Sequence, residues 1–180
     1  MKYDPINMVF KEQDEITSDI IDNLYDGSFR ILHAYVFSMC MDGTLTDEVV
    51  YRVLVKATSE MKRFNHMESV FKWLCRMAHD ELHSEKYEKR FVPPEENPNL
   101  KNYIRIGKPT DNEAVLAEDA TKLSYALKKT NSVYRDIFYL KTLGRLPDKI
   151  IAEFYERPVS FVQVTYLRAK DQIIRFMEEV

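Results

Sequence analysis

The sequence predicts an all-α protein built as two small helical domains on either side of a proline-containing linker. Three observations predict it. Only four glycines occur in 180 residues, and apolar residues fall at helical rather than alternating spacing. Pro93, Pro94, Pro98 and Pro109 crowd into one stretch, Phe91 to Thr110, together with Asn97, Asn99, Asn102 and Gly107. Proline removes a helix donor and holds its predecessor extended, so this stretch separates the helical patterns on its two sides.

Three helices are expected before the linker. The first spans roughly Glu15 to Met41, with Ile20, Ile21, Leu24, Phe29, Ile31, Leu32, Tyr35, Val36 and Met39 apolar, and a break is expected at the turn-forming triplet Asp26-Gly27-Ser28. Asp42-Gly43 ends it, and Thr44 or Thr46 is expected to cap a second helix running to about Phe64. That helix carries Val49, Val50, Val53, Leu54 and Ala57 on one stripe. A third is expected from Glu68 to Lys89, with Val70, Phe71, Leu74, Cys75, Met77, Ala78 and Leu82 inward.

The linker itself holds Leu100, Tyr103, Ile104 and Ile106, so part of it is expected to lie against a surface. Four shorter helices follow, near 112–129, 132–143, 148–155 and 158–178. No period of 20–50 residues repeats. The expected domains are 1–90 and 112–180, joined by 91–111.

Composition narrows the function. Apolar residues make up 45% and charged residues 31%, as in soluble globular proteins. No run is long enough to span a membrane, and Met1 to Phe10 lacks a basic flank followed by an apolar core, so neither a membrane anchor nor a signal peptide is expected. Cys40 and Cys75 stand alone within apolar helical patterns, as buried free thiols of a reducing cytoplasm would. Residues 1–50 carry a balance of −7, residues 51–90 of +3, and residues 117–180 of +2, within a net charge of −3. Two mildly basic blocks behind an acidic front suit a polyanionic partner.

Catalytic and metal patterns are absent. There is no phosphate-cradling glycine loop, nucleophile elbow or paired-carboxylate pattern. His79-Asp-Glu-Leu-His83 places two histidines at i and i+4, the spacing of zinc metalloproteases. Asp80 stands where their general-base glutamate would be, and no third histidine follows. Neither a metal nor any other cofactor is expected.

The segment Asp148 to Lys170 has the layout of a helix-turn-helix. Ile151, Ala152 and Phe154 are expected to face inward, small Ala152 permitting a tight crossing. Pro158 suits the start of the second helix, where its missing N–H costs nothing. Val159, Val162 and Tyr166 form its expected inner stripe, leaving Ser160, Phe161, Gln163, Val164, Arg168 and Lys170 to meet DNA. An ordinary helical hairpin would show the same pattern, so the two halves must be read together.

Read together, they resemble the extracytoplasmic-function sigma factors of the sigma-70 family. Asp47-Glu-Val-Val-Tyr-Arg-Val-Leu-Val-Lys-Ala57, Arg63-Phe64 and Ser69-Val-Phe-Lys-Trp-Leu-Cys-Arg-Met-Ala78 resemble sigma domain two. Leu123 to Lys170 resemble sigma domain four, whose helix-turn-helix reads the minus-thirty-five element. The resemblance implies a promoter-specificity factor with core RNA polymerase and promoter DNA as partners, and an anti-sigma factor as a further one. It places Asp47, Glu48, Tyr51, Arg52 and Val55 against the polymerase clamp. It places Lys62, Arg63, Phe64, Asn65, His66, Lys72, Trp73 and Arg76 at the melted minus-ten element, with the loop 65–68 capturing a flipped base. The chemistry agrees: flat side chains stack on unpaired bases while cations hold phosphates, and Tyr87 and Lys86 are further candidates. Trp73 is assigned mixed duty, largely inside. Two departures stand out. Tyr51-Arg52 replaces a polar pair that is often Gln-Glu, and the recognition helix is poor in cations. The second departure predicts low affinity for the isolated upstream element. It also keeps a second reading open, a sigma-like interaction protein that has lost promoter recognition.

Overall fold

A computed structural model describes residues 18–60, 70–104 and 113–180, with side chains over 28–60, 70–104 and 119–180. Helices α1 (Ser18–Cys40), α2 (Gly43–Glu60) and α3 (Val70–Leu82) form the N-terminal half. A 3-10 turn at Pro94–Glu96 and the short α4 (Leu100–Tyr103) lie in the linker. Helices α5 (Glu113–Lys129), α6 (Ser132–Thr142), α7 (Asp148–Tyr155) and α8 (Val159–Glu178) complete the chain. No strand occurs among the described residues.

α1 runs unbroken through Asp26-Gly27-Ser28, where a turn was expected. The cost of one glycine in a helix is about 1 kcal/mol. Burial of Leu32, Tyr35 and Val36 on the face that continues beyond it outweighs that cost. The helix ends at Cys40, and Met41 adopts the left-handed conformation with φ 53°. The cap of α2 is Asp42 rather than a threonine: its carboxylate accepts the Leu45 amide at 2.9 Å. Thr46 instead donates its hydroxyl to the Asp42 carbonyl at 2.7 Å. The α2 stripe is buried as expected, with Leu45 and Thr46 added to it.

α3 stops at Leu82, seven residues before its expected end at Lys89. Tyr87 explains the difference. In a straight helix it would lie about 140° around the axis from Leu82, at about 100° per residue. Yet both side chains are wholly buried. A series of turns, with the Ser84 amide bonded to the Glu81 carbonyl at 3.1 Å and the Tyr87 amide to the Ser84 carbonyl at 2.9 Å, swings the ring back into the core.

The start of the linker lies on the C-terminal half, as its apolar residues led us to expect. Leu100 and Ile104 are buried in the cluster that contains Leu123, Leu127 and Ile173. Ser124 donates to the Glu95 carbonyl at 2.5 Å, and Tyr139 donates to the Glu95 carboxylate at 3.0 Å. Arg135 pairs with that carboxylate at 3.4 Å. Tyr103 is half exposed, its ring 5.7 Å from Phe37, and Ile106 lies outside the described residues.

The two halves touch. One continuous apolar cluster joins Leu32, Val36, Phe71 and Leu74 to Ile137, Leu140, Ile151 and Val162. Gly144 allows the closest approach. A Cβ there would stand 2.9 Å from the carbonyl oxygens of Ala34 and Leu140, and 3.2 Å from the Ser38 Cβ.

Candidate nucleic-acid and polymerase interface

The C-terminal pair α7 and α8 is joined by a tight turn. Glu156 takes the left-handed conformation that ends α7, with φ 52° and ψ 44°. The Arg157 amide closes the turn on the Ala152 carbonyl at 2.9 Å. Pro158 then precedes α8 in extended geometry. Ile151 and Ala152 are buried in the crossing. Phe154 is half-buried and faces the other half of the molecule, its ring 5.5 Å from Tyr35 and 6.4 Å from Phe71.

The inner stripe of α8 is Val162, Thr165, Ala169 and Ile173. Val159, expected inside, is 39% exposed. As the first residue of the helix it lies before α8 enters the crossing. Thr165 went unrecognised because a polar side chain gives no hydropathy signal. Ser160, Gln163, Val164, Arg168 and Lys170 are all exposed on α8. Phe161 is half-buried beside Tyr155 at 6.4 Å, with the Arg157 guanidinium 5.9 Å from its ring centre. The Lys170 ammonium lies 5.8 Å from the Tyr166 ring. The helix therefore presents one continuous face of short polar and apolar side chains with a cation at Arg168.

The second face is the outer side of α2. Asp47, Tyr51, Arg52 and Val55 are exposed there, with Glu48 partly so. The charged members are tied to neighbours: Asp47 to His33 at 3.0 Å, Glu48 to Arg90 at 2.9 Å, and Arg52 to Glu81 at 3.1 Å. Tyr51 and Val55, 64% and 52% exposed, are left as a small apolar contact within a charged frame. Arg90 and Glu81 escaped sequence reading because they join this face through partners 42 and 29 residues away.

α3 carries the third group. Arg76 is exposed, Trp73 is buried, and Lys72 pairs with Glu156, at the end of α7, at 2.7 Å. Tyr87 is wholly buried and offers no face to a base. Lys62, Arg63, Phe64, Asn65 and His66 lie outside the described residues. The rings of His79 and His83 stack 4.3 Å apart at the end of α3, beside a cleft between the two halves. Among the described residues no helix is long and apolar enough to cross a membrane.

Among the described residues this arrangement has three helices in the N-terminal half, a docked linker and four helices in the C-terminal half, the last two joined by a tight turn. No known family model matches the sequence, and neither does any curated protein. Solved structures do. The fold is similar to that of CnrH in complex with the cytosolic domain of CnrY, with a TM-score of 0.51 and 16% identity, over 98% of this chain and 99% of that one. The sigma factor RpoE in complex with the anti-sigma factor NepR, from Bartonella quintana, aligns with a TM-score of 0.46 and 14% identity, over 90% and 98% of the two chains. The chain has the all-helical fold of the extracytoplasmic-function sigma factors.

Proposed function

We propose that this chain is an alternative sigma factor: it binds core RNA polymerase and directs it to a set of promoters in the cytoplasm. One observation carries the reading. Within a fold of this kind, the side chains required for two different partners are exposed on two separate helices, α2 and α8. The unit 1–90 docks on the clamp through Asp47, Glu48, Tyr51, Arg52 and Val55. Tyr51 and Val55 bury apolar area on contact, and the paired charges around them set orientation. Lys62, Arg63, Phe64, Asn65, His66, Lys72 and Arg76 serve the melted minus-ten strand, while Trp73, 8% exposed, belongs chiefly to the core. The unit 112–180 reads the upstream duplex through Ser160, Phe161, Gln163, Val164, Arg168 and Lys170. Its action is binding and positioning, without a chemical step. An anti-sigma factor is a further partner, as for the RpoE structure.

The second reading is a sigma-like interaction protein that keeps the fold without reading promoters. The recognition helix favours it, because only Arg168 and Lys170 among the six candidate readers are cationic. Transcription reconstituted with core polymerase on genomic fragments separates the two. Initiation at discrete sites supports the sigma factor. Binding to core without initiation supports the alternative.

A further inference from the structure

We infer that the cleft beside His79 and His83 is a binding site for a small organic molecule carrying a primary ammonium group. The site is built from side chains of the cleft alone and stands whether or not the chain reads promoters.

The cleft holds about 490 Å³, within the range of small-molecule sites. Its walls come from α1, the end of α3, the linker, α6 and α7. Tyr35, Phe154 and Tyr155 make an aromatic corner. The Phe154 ring lies 5.5 Å from Tyr35 and 5.1 Å from Tyr155, standing at 87° to the latter. His79 and His83, stacked at 4.3 Å, form a second wall with Phe91, whose ring lies 4.8 Å from His83. Ring faces attract a cation, and more strongly where water is excluded.

The polar groups select the charge of the ligand. Two carboxylates line the cleft, and Glu95 is already engaged: Arg135 pairs with it at 3.4 Å and the Tyr139 hydroxyl donates to it at 3.0 Å. Asp136 makes no hydrogen bond or ion pair among the described residues. It reaches the surface, yet desolvation by its surroundings raises its carboxyl above the ordinary 3.8, and the Arg135 charge only partly offsets this. A ligand cation is what such a carboxylate lacks. The Tyr35 and Tyr155 hydroxyls likewise make no hydrogen bond among the described residues. Burial chiefly, and the Asp136 charge in addition, raise both phenols, so the three side chains share one neighbourhood. Three acceptor oxygens match the three N–H donors of a primary ammonium. A quaternary ammonium would leave them unpaired, and an anion would meet the Asp136 charge. The carbon body of the ligand then lies against apolar wall residues such as Phe154 and Leu140.

The test is calorimetric titration of the full chain with butylamine, phenethylamine and tryptamine. Each is compared with the alcohol and the carboxylate of the same skeleton. At least one amine should bind saturably, one molecule per chain, and about tenfold tighter than its alcohol. Asp136→Asn should weaken that amine about tenfold with helicity unchanged. Tyr155→Phe keeps the ring, removes one acceptor and should weaken it about threefold. Asp171→Asn, which neutralises an exposed acid on α8, should leave binding unchanged. Should Asp136→Asn lose helicity, Tyr155→Phe and the ratio of amine to alcohol still decide. An alcohol that binds as tightly as its amine, a preferred carboxylate, equal weakening by Asp171→Asn, or no saturable binding of any amine would overturn the inference.

Discussion

Ala152 sets the distance between the helices of the C-terminal pair. It is 4% exposed, and its carbonyl accepts the Arg157 amide that closes the turn. Ala152→Leu should therefore destabilise the protein by about 1–3 kcal/mol through overpacking, read as a lower denaturation midpoint. Tyr51 and Arg52 have the opposite character. Both are exposed, Arg52 holding only a surface pair with Glu81. Replacing both with alanine should leave stability within about 0.5 kcal/mol while weakening core polymerase binding. Unchanged binding would place the polymerase contact elsewhere.

At the scale of the element, the proposed function assigns DNA contacts to both α3 and α8, and charge sets what each should contribute. Lys62, Arg63, Lys72 and Arg76, with Lys86 just beyond, belong to the N-terminal half, against Arg168 and Lys170 in α8. Each neutralised phosphate releases counterions, so removing charge at Arg63, Lys72 and Arg76 should impair open-complex formation at every promoter and flatten its salt dependence. Changing Phe161, Gln163 or Arg168 should instead alter which upstream sequences are used. Transcription from promoters varied separately in each element checks this. A uniform loss from the Arg168 change, with silent changes in the N-terminal half, would reverse the roles.

The helices themselves were legible because their apolar stripes recur at 3.6 residues, as Val49, Val50, Val53 and Ala57 show in α2. Their ends were less so. The α3 terminus depends on where Tyr87 must be buried, and the α2 cap on which of Asp42, Thr44 and Thr46 reaches an amide. Both are settled by packing, which local sequence does not encode. Of the candidate site, the exposed residues of α2 and α8 followed from periodicity. The Lys72–Glu156 pair did not, because nothing in either neighbourhood announces a partner 84 residues away.

For the whole molecule, the buried titratable groups predict alkaline lability. Burial pushes the thiols of Cys40 and Cys75 above their ordinary value of 9.0, and the phenols of Tyr35, Tyr139 and Tyr155 above 10.0. Each group stays protonated in the folded chain at a pH where the unfolded chain releases it. The folded state then binds more protons, so stability is fully present below about pH 9 and falls as pH rises further. The slope is up to about 1.4 kcal/mol per pH unit for each group. Denaturation followed from pH 7 to 11 should show a flat region and then this decline. A flat profile throughout would mean that the groups are accessible in the native state.

The central claim is that this fold, with its two exposed faces, starts transcription at chosen promoters. The most direct measurement is reconstituted transcription: purified core polymerase, this protein and fragmented genomic DNA, with transcript starts mapped. The account predicts starts at a restricted set of sites that appear only when the protein is added. They should share one upstream and one downstream sequence element, and be lost when Arg63, Lys72 and Arg76 are neutralised together. Stable binding to core polymerase with no new starts at any fragment would contradict it.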